Sequence, residues 1–147
     1  MRVEIIRENK KRFLDLLLLA DEQEEMIDKY LERGVMFAMY DEGLKGICVV
    51  TKENERIYEL KNIAIYEEFH GQGYGRKLVE YIFEYFESDC DVMYVGTGDS
   101  PLTVPFYKKC GFVESHIVKN FFIDNYHKPI YEGGKQLVDM VYLKKAF

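Results

Sequence analysis

Between an apolar segment and an amphipathic one, His70–Lys77 reads HGQGYGRK, with glycine at positions 71, 73 and 75. Bare backbone at the start of a helix gathers unpaired N–H groups at the positive end of the helix dipole, and a phosphate can approach it closely. The pattern is G-x-G-x-G, not the G-x-G-x-x-G of a dinucleotide-binding turn, and Gly75 is followed by Arg76, Lys77 and Leu78, not by the Lys and hydroxyl residue of a Walker loop. Both of those readings fail on spacing. An anion cradle of another kind and a tight turn without a ligand both remain open.

Two more residues have side chains suited to proton transfer. Glu59, within IYELKNIAI, is a carboxylate in the middle of a strand-like run, where charge is uncommon. It can act as a general base, or it can face solvent or pair with Lys61. Tyr107, within FYKKCGF, can donate a proton, or it can be a core aromatic in a chain with 12 tyrosines. Cys110 has no evident basic partner and reads as a packing residue. His70, His116 and His127 show no ligand spacing with carboxylates or cysteines, so no metal is expected.

The elements that must position these residues follow from periodicity and punctuation. Val3–Arg7 reads as a short strand, and KKRFLDLLLLADEQEEMIDKYLERG as two consecutive helices, with Asp21 and Glu24 spaced as a capping box and Gly34 as the stop. From Val35 to Tyr66, β-branched and aromatic runs break at Asp41-Glu42-Gly43 and at Glu53-Asn54-Glu55, giving a three-stranded antiparallel meander. Leu78, Val79, Ile82, Phe83 and Phe86 then recur at helical spacing, and DVMYVGTG follows as a strand. Strand, helix, strand implies a parallel pair joined by a right-handed crossover. Pro105 and Gly111 bracket a short helix from about Val104 to Cys110, which carries Tyr107. Two last strands, Glu114–Ile123 and Gln136–Lys144, are joined by the long loop DNYHKPIYEGGK.

The bulk properties narrow the function. A chain of 147 residues, 48% hydrophobic, with no repeat and no Pro-, Gly- or Ser-rich linker, predicts a single domain over residues 1–147. A net charge of −6 argues against a nucleic-acid partner and suits a cationic substrate better. The charged start, the lack of an apolar run near the roughly 18 to 20 residues of a membrane span, and the lack of a signal-peptide core predict no membrane association and a cytoplasmic location. The cysteine count is odd, with no C-x-x-C pair, and suggests neither a disulfide framework nor a zinc site.

From about Lys61 to Phe112, KNIAIYEEFHGQGYGRKLVEYIFEYF followed by FYKKCGF resembles the GNAT superfamily, the acetyl-CoA-dependent N-acetyltransferases. The order of elements agrees over essentially the whole chain. The resemblance implies an α/β (α+β) fold: a mixed, mostly antiparallel sheet of about seven strands with a central parallel pair, flanked by about four helices. It implies acetyl-CoA as co-substrate and no metal. The family's loop pattern, Arg/Gln-x-x-Gly-x-Gly/Ala, maps onto His70, Gly73 and Gly75, with His70 departing from the usual Arg or Gln. His70, Gly71, Gln72, Gly73, Tyr74, Gly75 and Arg76 would then hold the coenzyme A pyrophosphate. The backbone of Ile63, Ala64 and Ile65 would pair with the pantetheine arm and donate to the thioester carbonyl. Glu59 stands where some members carry a catalytic glutamate, and Tyr107 where the general-acid tyrosine stands.

The expected reaction is transfer of an acetyl group to a primary amine of a small molecule, directly in a ternary complex, because no activated nucleophile is evident. The alternative is a non-catalytic acyl-CoA-binding regulatory module. Tyr30, Phe121, Phe122 and Tyr126 are candidates for the acceptor pocket, and acidic neighbours such as Asp124 and Glu132 would suit a cationic amine. A homodimer is expected to form, if at all, through Val138–Phe147.

Overall fold

The computed structural model describes residues 1–147. Strand β1 (Arg2–Ile6) leads through a 3-10 turn (Lys10–Phe13) into helices α1 (Leu14–Ala20) and α2 (Glu24–Asp28). Strands β2 (Val35–Tyr40), β3 (Leu44–Asn54) and β4 (Ile57–Ile65) form the meander, and helix α3 (Tyr74–Phe86) crosses to β5 (Val92–Gly98). The remainder comprises α4 (Val104–Lys109), β6 (Val113–Val118), α5 (Phe121–Asn125), a hairpin of β7 (Tyr131–Glu132) and β8 (Lys135–Gln136), and β9 (Met140–Ala146). Seven strands share one sheet in the order β1-β2-β3-β4-β5-β9-β6, and the pair β4–β5 is its only parallel one. No helix is long and apolar enough to cross a membrane.

Both faces of the sheet are covered, which explains why VMFAMY and GICVV are continuous apolar runs and not alternating ones. Phe37, Met39, Cys48 and Val50 pack with Leu78, Val79, Ile82 and Phe86 of α3. Met36, Ala38, Ile47 and Val49, pointing the other way, pack with Leu16 and Leu17 of α1 and with Ile27 and Leu31. A buried lysine fixes the second layer: Lys10 Nζ donates to the carbonyls of Leu31 (2.9 Å), Glu32 (3.2 Å) and Gly34 (2.8 Å). It closes the carbonyl end of the segment that follows α2. Replacing Lys10 by Met leaves those carbonyls without their donor and is expected to lower stability by about 2–4 kcal/mol in denaturant unfolding.

The feature that opens the site is a bulge in β4. Val49 pairs with Asn62 but Val50 with Leu60, so Lys61 is the extra residue. A one-residue insertion reverses the facing of everything beyond it. Leu60 accordingly lies in the α3 layer, whereas Ala64 lies in the α1 layer and Ile63 and Ile65 turn toward α3. The parallel pairing with β5 runs only from Ile57↔Val92 to Leu60↔Val95. Past the bulge the two central strands part.

Two expectations are corrected, the extent of the penultimate strand and the capping box. The penultimate strand does not reach Ile123: it ends at Val118, because Asn120 takes a left-handed φ of 58° and Phe121–Asn125 coil into α5. The Asn120 amide donates to Asp139 Oδ1 and Asn125 Nδ2 donates back to the Phe121 carbonyl, holding that turn. The helices therefore number five. Asp21 and Glu24 form no capping box: α2 starts one residue after Gln23, so Asp21 stands two positions too early to cap it. In the sheet, β9 lies between β5 and β6 with both of its backbone edges paired. The free edges belong to β1 and β6.

Candidate active site

The wedge between the parted strands is a cleft of about 410 Å³. Its floor is Leu60–Ile65 of β4 and Val95–Gly98 of β5, and its rim includes His70, Tyr107, Phe122, Tyr126 and Glu132. A second lobe of about 250 Å³, lined by Glu59, Tyr30, Arg33, Phe121 and Tyr142, shares Asp21, Lys61, Gly96, Tyr126 and Met140 with the first. The two lobes thus meet at Asp21 and Tyr126.

The glycine loop follows the end of β4. Gly71 (φ 77°) and Gly73 (φ 86°) both lie in left-handed backbone, and a Cβ built on either meets nothing within 4 Å. Gly73 is the residue before the first turn of α3, and no side chain caps that end. The open space and the uncapped amides fit an anionic group of the phosphate kind. Gly75 has a different reason to be glycine: its Cβ would stand 3.1 Å from the Phe106 ring, so it lets α3 pack closely on α4. His70 Nε2 lies 2.8 Å from the Ile65 carbonyl. A carbonyl only accepts, so Nε2 carries the hydrogen and, in a neutral ring, Nδ1 is left as an acceptor. Tyr74 turns away toward the β2–β3 turn, donating to Asp41 Oδ2 (2.9 Å), and Arg76 pairs with Glu80 (3.1 Å).

The titratable groups divide by their surroundings. Tyr107, 8% exposed, has its ring edge-on to Phe106 and Phe112. Burial above all raises its phenol well above the ordinary range, so it is a protonated group facing the cleft. Glu59, its side chain 13% exposed, pairs with Lys61 at 3.1 Å. Burial raises its carboxyl above the usual carboxylate range, and Lys61 opposes that rise. The ion pair with Lys61 is thus present, and the Glu59 carboxyl lines the second lobe. Burial pushes the Cys110 thiol up to about 11 and that of Cys48 higher still, which leaves neither as a thiolate at neutral pH.

Of the expected acceptor residues, Phe122 and Tyr126 line the main lobe and Tyr30, Phe121 and Tyr126 the second. Asp124 does not line either lobe. Asp21 was legible only as a helix cap, yet it sits at the junction: its carboxylate accepts from Tyr126 (2.7 Å) and Tyr30 (3.2 Å). Burial raises its carboxyl and these phenols partly offset the rise. Asn62 donates through Nδ2 to the Leu17 carbonyl and to the Tyr30 oxygen, each at 3.0 Å, completing a network from α1 to the α5 segment. Gln23 stitches the same surfaces, donating to the Asn125 carbonyl and accepting from the His127 amide. The signal for this group in the sequence was only the turn between the helices.

Splayed central strands, a glycine loop before an uncapped helix and a tyrosine facing the wedge agree with a family match over residues 32–114, described as an acetyltransferase (GNAT) domain. The chain belongs to the GNAT family. Similar proteins extend that likeness beyond the matched residues. The uncharacterized N-acetyltransferase YvbK of Bacillus subtilis is 36% identical over 146 residues, covering 97% of this chain and 94% of YvbK. A GNAT family acetyltransferase of Elizabethkingia anophelis, solved with acetyl-CoA bound, superposes with a TM-score of 0.93 at 34% identity, over 99% of this chain and 97% of that one. A B. subtilis acetyltransferase in complex with CoA gives a TM-score of 0.89 at 35% identity, over 99% and 98% of the two chains. The mixed sheet with one parallel pair is thus the GNAT fold, and the expected fold class holds for the entire chain.

Proposed function

We propose that this GNAT protein transfers an acetyl group from acetyl-CoA to the primary amine of a small molecule, directly within a ternary complex. The observation that carries this reading is the wedge itself: β4 backbone unpaired toward β5, His70 at the start of the glycine loop and Tyr107 border one cleft, and a second lobe joins it at Asp21 and Tyr126. The loop His70–Arg76 would hold the pyrophosphate through its backbone amides, with Gly71, Gln72 and Gly73 presenting them. Ile63, Ala64 and Ile65, freed from β5, offer N–H and carbonyl groups to an extended pantetheine arm as a neighbouring strand would. One of these amides is placed to stabilise the charge that develops on the thioester oxygen.

Glu59 takes the proton of the amine, through the second lobe that it lines. An alkyl ammonium has a pKa of about 10.4, so a base is required before attack. Tyr107, held protonated, gives its proton to the departing thiolate and is restored from solvent. The raised thiols of Cys48 and Cys110 support direct transfer over an acetyl-cysteine route. Lined by Asp21, Glu22 and Glu132, the cleft favours a cationic small molecule, and free cysteines fit a reducing cytoplasm. An edge-to-edge homodimer would use β6, which is exposed along its length.

The Glu59 assignment is tested by pH. A base is active when deprotonated, so the parent rate is expected to fall as pH drops through an ionisation displaced upward from the usual carboxylate range. Glu59→Gln should lower kcat by about 10²- to 10³-fold and remove that acidic limb from the profile. A full rate with an unaltered profile would exclude Glu59.

A further inference from the structure

The main lobe carries more negative charge than acetyl transfer uses. Asp21, Glu22, Glu67 and Glu132 line it against Lys61, and Lys61 is already paired with Glu59 at 3.1 Å. Glu22 is affected by its burial and then by the charges of Glu132 and Asp21, all acting against its ionisation, so Glu22 stands close enough to both carboxylates to be repelled by them. Two residues that line the same cleft each carry a side-chain oxygen buried without a hydrogen-bond partner, Glu132 Oε2 and Asn62 Oδ1. Asn62 is only 3% exposed, and both bonds of its Nδ2 are spent on Leu17 and Tyr30. Buried polar atoms in folded proteins are nearly always bonded, and two orphans in one cleft mark positions that a ligand's N–H groups would fill.

The position of Glu132 is fixed from several sides. Leu137 donates to the Ile130 carbonyl at the base of the β7–β8 hairpin, and Lys135 pairs with Asp99 at 3.0 Å. A Cβ on Gly133 would stand 3.5 Å from Pro101. The hairpin is therefore pinned to the β5–α4 loop and holds its carboxylate over the cleft near Tyr107.

An amine must be neutral when it attacks a thioester, so the reacting nitrogen does not balance this cluster through the reaction. Several carboxylates in lasting contact with that nitrogen would hold it protonated after Glu59 has drawn its proton from the second lobe, whereas an amide oxygen accepts its N–H without favouring the charged form so strongly. Resting on the reading of the protein as an amine acetyltransferase, we propose that its acceptor is a small diamine. Asp21, Glu22 and Glu132 hold the ammonium that does not react, and Asn62 Oδ1 accepts an N–H from the nitrogen that does. Phe122 and Tyr126, stacked with centroids 5.4 Å apart, give the alkyl chain and its cation an aromatic wall.

The test is calorimetric titration of the protein saturated with coenzyme A, using 1,4-diaminobutane, butylamine, 4-aminobutanoate and their longer and shorter homologues. The best diamine is expected to bind about 10- to 100-fold more tightly than the matched monoamine, with the amino acid weakest. Glu132→Gln and Glu22→Gln, checked for folding by their melting curves, should each reduce that ratio about tenfold, mainly by weakening the diamine. Equal affinities at every chain length, a ratio unchanged in both variants, or no amine binding at all would overturn the proposal. Thiol release from acetyl-CoA with the same amines is read separately. Turnover of monoamines without a diamine preference sinks the diamine inference alone, whereas a diamine preference without turnover sinks the enzymatic reading.

Discussion

Tyr107→Phe is expected to bind acetyl-CoA as tightly as the parent and to turn it over about 10²- to 10⁴-fold more slowly, the range of general acid–base catalysis. The change removes one oxygen from a ring that packs against Phe106 and Phe112, so the contacts that place α4 survive it. The effect should also depend on the thiol. The departing coenzyme A thiolate has a conjugate acid near the ordinary thiol pKa of about 8.5, below the raised phenol of Tyr107, so the phenol helps by hydrogen-bonding the charge that develops on sulfur during C–S cleavage, its proton passing over as solvent restores it. An acetyl donor with a more acidic thiol needs less help, and the difference between parent and variant should shrink with it. Stopped-flow measurement of thiol release, with donor affinity determined in parallel, checks both parts. An unchanged maximal rate across pH would show that Tyr107 is a packing residue.

The second large effect concerns the loop. Gly73→Glu is expected to weaken coenzyme A binding by about 100-fold or more, because it sets a carboxylate where the amides and dipole of α3 attract an anion. Strain contributes as well, since a left-handed conformation costs a residue with a Cβ about 1–2 kcal/mol. Gly43 supplies the control: it too has positive φ (111°) and an unobstructed Cβ position, but it lies in the β2–β3 turn. Gly43→Ala and Gly73→Ala should therefore lose similar stability, while Gly73→Glu alone loses the ligand. Titration with coenzyme A and with dephosphorylated pantetheine separates the terms. Loss of the first with retention of the second places the defect at the phosphates, and intact affinity for both would return the glycines to the role of a turn.

The parts legible in the sequence are those governed by local rules. β-branched and aromatic runs, the turn residues that break them and the helical spacing from Leu78 to Phe86 located the meander, α3 and the parallel crossover, because each depends on nearby residues. Pro105 near the N-terminus of α4 and Gly111 beyond its end, with φ 109°, placed Tyr107 on a short helix, as found. The bulge at Lys61 was not legible, since IYELKNIAI reads as an uninterrupted strand and the insertion is defined only against β3. The α5 turn was missed for a related reason. Phe121 and Phe122 suit a strand by propensity, and the left-handed Asn120 held by Asp139 overrides them from a distant part of the chain. Asp21 had the spacing of a cap, and only tertiary contact with Tyr30 and Tyr126 gives it a place in the cleft. The proposed cofactor side of the site is thus written in a contiguous motif, whereas the proposed acceptor side is assembled from segments about a hundred positions apart, Asp21 and Tyr126 among them.

The central claim is chemical: the cleft moves an acetyl group to an amine and does not merely bind the donor. It is tested most directly by mixing the purified protein with acetyl-CoA and a panel of primary amines, following free thiol and the mass of the amine in the same sample. Thiol release that requires both substrates, matched mole for mole by an amine heavier by one acetyl group, is the predicted result. Tight acetyl-CoA binding with no thiol released and no amine acetylated would contradict it, and would leave a domain that senses acyl-CoA.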